Sequence, residues 1–460
     1  MAPELARVLF GTDGIRGVAD QFPLDEPTVQ LIGRSLVKNL FQQRGAAPRI
    51  VVGRDTRESG ERIEKALTIG ATGAGAEVHL AGVITTPGVA FITRDKGFDA
   101  GVVISASHNP YRDNGIKVFS PSGRKLADEM ERAIEADLAP GSSFRTDAAV
   151  AANAGVVPPA VRHEEFREAY LSFLSGEASA GLSLSGLRIG VDCANGAAYE
   201  IAPELFRRLG AYLEVIGDRP DGRNINQDCG SLHLEKLQSL VSKTELDLGV
   251  AFDGDADRAL FVDSKGQIVD GDATMLILAD WLKSENRLCG DLVVATVMSN
   301  IGLELALRER GIRLARAPVG DRYVLEELLA AKGALGGEQS GHIILPGISL
   351  AGDGIITAIE LLRAVHQSNS TLTELAGRMK RYPQVLVNVR VRSKPELENI
   401  PAVRKEIDQV EVELGGRGRL LLRYSGTENL ARVMIEGEDQ ENISRLAHGL
   451  ANAIHSQIGE

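Results

Sequence analysis

Apolar positions along the chain follow two periods, and their alternation lays out most of the architecture. Val29, Ile32, Leu36, Val37 and Leu40 recur at helical spacing and predict a helix from Glu26 to Gln43. Arg49 to Val52 and Gly101 to Ile104 are short, nearly continuous apolar runs, as in strands buried on both faces. Between them the pattern predicts a helix near Glu61 to Thr72 and a strand at Val78 to Leu80; another helix follows near Ala127 to Ala136. A second stretch repeats this logic, with strands at Leu187–Asp192, Leu213–Ile216 and Leu246–Phe252 and helices at Ile201–Arg208 and near Leu234–Val241. A third has a strand at Leu292–Val297 and helices at Ala273–Lys283, Leu303–Glu309, one ending at Ala331, and Gly354–Val365. Strands alternating with helices argue for α/β units. From about Tyr382 the period becomes two: Val385 to Val391 alternates as a half-exposed strand does. A helix at Ala402–Leu414, strands at Gly418–Arg423 and Ala431–Ile435, and a helix at Glu441–Ile454 complete a small α+β domain.

The stretch from Ala139 to Ala160 is rich in Ala, Val and Pro, lacks a period, and reads as a linker. The texture therefore divides the chain into 1–158, 159–264, 265–378 and 379–460, one more domain than the rough three suggested by 460 residues.

Composition narrows the function classes. The apolar fraction of 43% with 25% charged residues is that of an ordinary soluble globular protein. No apolar run is long enough for a membrane span, and Met1-Ala2-Pro3-Glu4 has no signal-peptide character, so a cytoplasmic protein is expected. Cys193, Cys229 and Cys289 are far apart, odd in number and without metal-ligand spacing. A net charge of −12 without Lys/Arg runs argues against nucleic acid and anionic membrane as partners. An acidic chain that handles an anionic substrate must gather its cations in one place.

Five polar stretches interrupt the periodic pattern. Ser105-Ala106-Ser107-His108-Asn109-Pro110 follows a buried strand, where α/β sheets present ligands. Ser107 beside His108 is a candidate nucleophile, although the stretch alone serves equally as a turn. Lys117, ten residues on, offers a cation and a proton donor. Phe10 to Gly17 places three glycines and Arg16 in a tight loop that suits an anion, or simply a turn. Asp253, Asp255 and Asp257 alternate after an apolar strand and precede Arg258. Three such carboxylates repel unless a cation neutralises them, and oxygen-only ligands suit Mg²⁺. An EF-hand is excluded, because Ser264 stands at the twelfth position. Glu338, Ser340 and His342 form a glycine-flanked set suited to sugar hydroxyls, and Arg423, Ser425, Gly426 and Thr427 a compact oxyanion loop.

In order and spacing these motifs resemble those of the α-D-phosphohexomutases along essentially the whole chain. Ser105 to Pro110 is similar to that family's phosphoserine loop, Asp253 to Arg258 to its metal loop, Gly337 to His342 to its sugar loop, and Arg423 to Thr427 to its phosphate loop. Phe10 to Gly17, Asp192 to Ala197, Asn224 to Asn226, Cys229 to Ser231, Val319 to Val324 and Gln339 resemble the phosphoglucosamine mutase branch. Two departures are Ala256, where glycine is usual, and Asn429, where proline is usual. Ala256 would resist a positive φ, and Asn429 would leave its loop less rigid.

The resemblance implies three similar α/β domains with mixed sheets plus a C-terminal α+β domain around a central cleft. It also implies an intramolecular phosphotransferase. Ser107 carries a phosphoryl group, with Ser105 as a minor acceptor; Ser107, Asp253, Asp255 and Asp257 hold one Mg²⁺, while Arg16 and Lys117 or His108 assist. Arg258, Arg322, Glu338, Ser340, His342, Arg423, Ser425, Gly426, Thr427 and Arg432 bind the sugar phosphate. Glucosamine 6-phosphate and glucosamine 1-phosphate interconvert through a 1,6-bisphosphate that flips in the cleft, which feeds UDP-N-acetylglucosamine and cell-wall precursor synthesis. The alternatives are a phosphoglucomutase or phosphomannomutase, a metal-dependent sugar phosphatase, and a non-catalytic sugar-phosphate binder. A homodimer is carried as a partner state that no residue pattern specifies.

Overall fold

The computed structural model describes residues 9–11, 13–144, 158–425 and 428–460. Thr12, Gly426, Thr427 and residues 145–157 of the expected linker lie outside them. The chain forms two compact units, one of Met1–Thr296 with Ala317–Ala376 and one of Val297–Arg316 with Gly377–Glu460.

The first unit opens on a seven-stranded mixed sheet. Its spatial order is Phe10–Gly11, Gly14–Val18, Asp113–Phe119, Ala100–Ile104, Arg49–Arg54, Glu77–Val83, Ala160–Val161. The first four are joined antiparallel and the last four parallel. The helices Glu26–Arg44, Gly60–Gly73 and Asp128–Leu138 cover one face and contribute Ile32, Leu36, Leu67 and Ile134 to a shared core. The first helix shows why its sequence stops where it does. The Asp25 carboxylate accepts the Thr28 N–H at 3.1 Å, Pro27 stands in the first turn, and Gly45 ends the helix at φ 71°.

The stretch expected to be a glycine loop is a hairpin, Phe10–Gly11 with Gly14–Val18, which places Arg16 on a strand opposite Gly115. The helix Thr86–Asp95 escaped the pattern because its TPGVAFITRD sequence is short and β-branched, with little polar contrast; Thr85 caps it. The expected linker ends where the next described strand begins, at Ala160. Ala160–Val161 pairs with His79–Leu80, and the helix His163–Phe173 follows.

A second mixed sheet has the order Ile268–Val269, Ala259–Asp263, Leu248–Phe252, Arg188–Asp192, Tyr212–Ile216. Within the first unit a third pairs Leu292–Thr296 parallel to Leu335–Gly337, which pairs antiparallel with Ile343–Ile344. The sheets are thus mixed, as expected.

The second unit holds the antiparallel sheet Gln384–Arg390, Leu430–Glu436, Arg419–Tyr424 under the helices Pro401–Leu414 and Gln440–Ile458. The helix Ile301–Glu309 clusters with these residues rather than with the rest of its stretch.

Candidate active site

Ser107 lies just beyond the strand Ala100–Ile104, in the left-handed region at φ 52° and 1% exposed. A non-glycine residue held there costs about 1 kcal/mol, so the surroundings must impose it. They do so from both sides of the peptide. The Ser107 N–H donates to Ser105 Oγ at 3.0 Å, and Ser105 Oγ donates to Asp55 at 2.6 Å. The Ser107 carbonyl accepts from Arg57 Nη2 at 3.3 Å and from Asn226 Nδ2 at 2.9 Å; the same groups reach the Asn109 carbonyl at 2.6 and 3.1 Å. Arg57 and Asp55 are themselves an ion pair, both fully buried. Ser105 is therefore a strut. It is 0% exposed, and its hydroxyl both accepts from Ser107 and donates to Asp55.

The Ser107 hydroxyl donates to Asp253 at 2.5 Å and stands 3.3 Å from His108 Nδ1. The aspartate loop approaches so closely that a Cβ on Gly254 would sit 2.6 Å from the Ser107 carbonyl oxygen. Burial first, then Arg258 and Arg16, press His108 down to about 4, so its imidazole is neutral at pH 7.

One oxygen from each of Asp253, Asp255 and Asp257 lies within 4.8 Å of the others, and all three residues are buried. The arrangement fits a hard cation. Burial, then Asp257 and Asp255, push Asp253 well above the usual carboxylate range, so the triad resists a third charge until a cation joins it. Asp255 Oδ1 is buried without a hydrogen-bond donor among the described residues.

Lys117 comes back to this point because its strand runs antiparallel to Ala100–Ile104, with Val103 opposite Lys117. Its Nζ lies 2.9 Å from Asp255 and 3.3 Å from both Asp257 and Asp13. Burial would lower its pKa, but these three carboxylates outweigh burial and hold the ammonium charged. Arg16 is paired with Asp13 and donates to Asn109 at 3.3 Å. Arg258 Nε stands 3.7 Å from Asp257.

His342 Nδ1 lies 3.5 Å from Asp257 and Nε2 3.6 Å from Asp321. Burial opposes its charge, but Asp257 and Asp321 raise it to about 9, which makes it a cation at the back of the triad. A cavity of about 490 Å³ opens there, lined by Asp257, His342, Asp321, Lys125 and Arg322. Glu338 accepts from the Gly320 N–H at 3.1 Å and from Ser340 Oγ at 3.3 Å, so this pair braces its own loop. Arg322 is committed to Asp128, to Glu131 at 2.6 Å and to the Leu126 carbonyl at 3.2 Å.

In the second unit, Arg423 and Arg432 face each other directly across two strands. Two like charges in register repel, and here Glu428, 3.4 Å from Arg432 Nη2, offsets part of that repulsion. Ser425 accepts the Glu428 N–H at 3.3 Å on its hydroxyl and Lys394 Nζ at 2.8 Å on its carbonyl, which adds a cation the motif did not include. Gly426 and Thr427 lie outside the described residues.

Asp13, Asp55, Arg57 and Asn226 were not singled out as site residues from sequence. The available signal was Asp55-Thr56-Arg57, opposite charges two apart directly after a buried strand.

Phosphoglucomutase/phosphomannomutase family descriptions match four stretches in order. Alpha/beta/alpha domain I matches residues 7–143, domain II 168–266, domain III 270–382 and the C-terminal domain 386–453. A phosphoglucosamine mutase of Solibacter usitatus is 51% identical over 99% of this chain and 100% of its own length. One from Caldicellulosiruptor bescii is 48% identical over 98% and 99%. A crystal structure of a phosphoglucomutase/phosphomannomutase family protein from Burkholderia thailandensis shares the fold, with a TM-score of 0.78 at 22% identity over 98% of this chain and 99% of its own.

Proposed function

The chain belongs to the phosphoglucomutase/phosphomannomutase family, and from that premise we propose that it is a phosphoglucosamine mutase, interconverting glucosamine 6-phosphate and glucosamine 1-phosphate. The observation that carries the chemistry is Ser107 Oγ 2.5 Å from Asp253 and beside the neutral imidazole of His108. The amino-sugar specificity rests on the whole-length identity to phosphoglucosamine mutases.

Ser107 is the phosphoryl carrier of this reading. Transfer breaks the bond between phosphorus and Ser107 Oγ and forms one to the sugar 1-hydroxyl. His108, neutral at pH 7 and 3.3 Å from Ser107 Oγ, takes the proton of the sugar hydroxyl and passes it to the departing serine oxygen, which leaves Ser107 as a free hydroxyl. Lys117 stays protonated and, with Arg16, stabilises the charge on the transferring group. Reversal on the 6-phosphoryl group of the 1,6-bisphosphate returns phosphate to Ser107 and releases the 1-phosphate. Asp253, Asp255 and Asp257 are the residues that would hold Mg²⁺, which when bound neutralises phosphoryl oxygens.

Glu338, Ser340, His342, Arg258 and Arg322 are assigned to the sugar side. Arg423, Ser425, Gly426, Thr427 and Arg432 are assigned to the phosphate that is not reacting, a role supported by the opposed arginines. Further parts of the proposal are the boundaries 1–158, 159–264, 265–378 and 379–460, a cytoplasmic location and a homodimer, the last checked by light scattering. No helix of the described residues is long and apolar enough to cross a membrane.

The test is kcat/KM on glucosamine, glucose and mannose 6-phosphates with mass mapping of the phosphosite. The expected result is phosphate on Ser107 and preference for the amino sugar. A strong preference for glucose or mannose 6-phosphate would move the chain to the other branch, and free phosphate at the mutase rate would make it a phosphatase.

A further inference from the structure

A second cavity, of about 540 Å³, lies within the first unit where several elements meet. Its walls come from the end of the helix Thr86–Asp95, from the turn after Phe173, and from the helices Gly271–Ser284 and Gly354–Ser368. No residue assigned to the active site lines it. Its volume is that of a small-molecule site.

Its lining carries both signs in equal number, with Arg94, Arg287 and Arg363 alongside Glu177, Glu285 and Glu360. Glu360 is 2% exposed. Its Oε1 accepts from Arg363 at 3.1 Å, but its Oε2 has no hydrogen-bond donor among the described residues. Arg287 Nη2 stands 3.8 Å from that oxygen, an ion pair without a hydrogen bond. A buried acceptor left in this state is unfavourable, and a ligand donor would recover that cost. Arg363 is already held in place, with Nε on Glu360 and its two Nη atoms donating to the Ala180 and Ala178 carbonyls at 2.8 Å. The exposed pair is different. Arg94 donates to the Ile348 carbonyl at 3.5 Å and lies 6.0 Å from the Phe91 ring centre, and Arg287 lies over the Trp281 ring at 4.8 Å.

A plain dianion would meet three carboxylates here and a plain cation three guanidiniums. We propose that this cavity binds a small zwitterion, with its ammonium at Glu360 Oε2 and its oxyanion, phosphate or carboxylate, at Arg94 and Arg287. The guanidinium fork matches either oxyanion.

Trp281 is the only tryptophan in the chain and lines this cavity, so its fluorescence reports this site rather than the serine. The full-length protein is titrated with O-phosphoethanolamine and with β-alanine, with ethyl phosphate as the one-ended control, and each titration is repeated by calorimetry. A saturable response to at least one zwitterion is expected, weakened about tenfold or more in Arg94→Ala, which removes one charged hydrogen bond. Arg94→Ala keeps full mutase activity, and Arg423→Ala and Ser107→Ala keep the response. Glu360→Gln makes the protein respond alike to zwitterion and ethyl phosphate. A response to O-phosphoethanolamine alone identifies the ligand as a phosphorylated amine; a response to both admits carboxylates. Silence with both zwitterions by both methods overturns the proposal. So does an equal response of the unmodified protein to ethyl phosphate, or a response unchanged in Arg94→Ala or lost in Arg423→Ala.

Discussion

Ser105 holds Ser107 in place: its hydroxyl accepts the Ser107 N–H at 3.0 Å while donating to Asp55 at 2.6 Å. Ser105→Ala removes both bonds and leaves the buried Asp55 short of a donor. The expected cost is about 1–3 kcal/mol of stability together with a fall in kcat larger than any change in KM. Phosphosite mapping still finds Ser107. Phosphate on Ser105 in the unmodified enzyme would show that the strut also serves as an acceptor.

Asp253 is pushed up by burial and by its two neighbours, so in the absence of metal its charge opposes folding at pH 7. Asp253→Asn removes that charge and keeps an oxygen for the Ser107 hydroxyl. Without metal the variant should melt higher than the parent, by about 1–3 kcal/mol of stability. Mg²⁺ should stabilise the parent clearly and the variant little, with mutase activity lost. Equal thermal shifts with Mg²⁺ in both proteins would remove Asp253 from the ligand set.

Ala256 occupies φ 56° in the aspartate loop, the left-handed conformation that its side chain resists, and it is 0% exposed. Ala256→Gly relieves that strain but gains unfolded-chain entropy and loses a buried methyl. The net expectation is a gain of up to about 1 kcal/mol, read from the urea midpoint. A clear loss of stability would mean that the methyl packing outweighs the strain.

Asp353 caps the helix Gly354–Ser368 and accepts the Tyr170 hydroxyl at 2.6 Å; burial raises it from 3.8 to about 6. The folded state therefore binds this proton more tightly than the unfolded one. Its contribution to stability falls as pH rises from about 4 through about 6 and is flat above, by about 3 kcal/mol in all. The difference in stability between the parent and Asp353→Asn, measured by urea unfolding from pH 5 to 7.5, should shrink along that course. Parallel profiles would assign the proton elsewhere.

Local physics wrote much of this protein directly into its sequence. The helix Ile201–Arg208 has the bounds its periodicity predicts, and the aspartate loop is marked by three carboxylates leaving an apolar strand. Such features depend on neighbours within one turn or one strand, so a single segment contains the whole signal. What holds Ser107 depends instead on tertiary structure. Asn226 lies 119 positions from it, Asp55 is 50 from Ser105, and Lys117 is 138 from Asp255. Hydrogen bonds across such separations leave no period behind. The strand register that carries Lys117 back, and the hairpin that turns an apparent glycine loop into a strand bearing Arg16, are set by pairing partners elsewhere in the chain. Sequence alone therefore named the candidate reacting groups, while the folded chain decided which residues orient them, which histidine is neutral and which is charged.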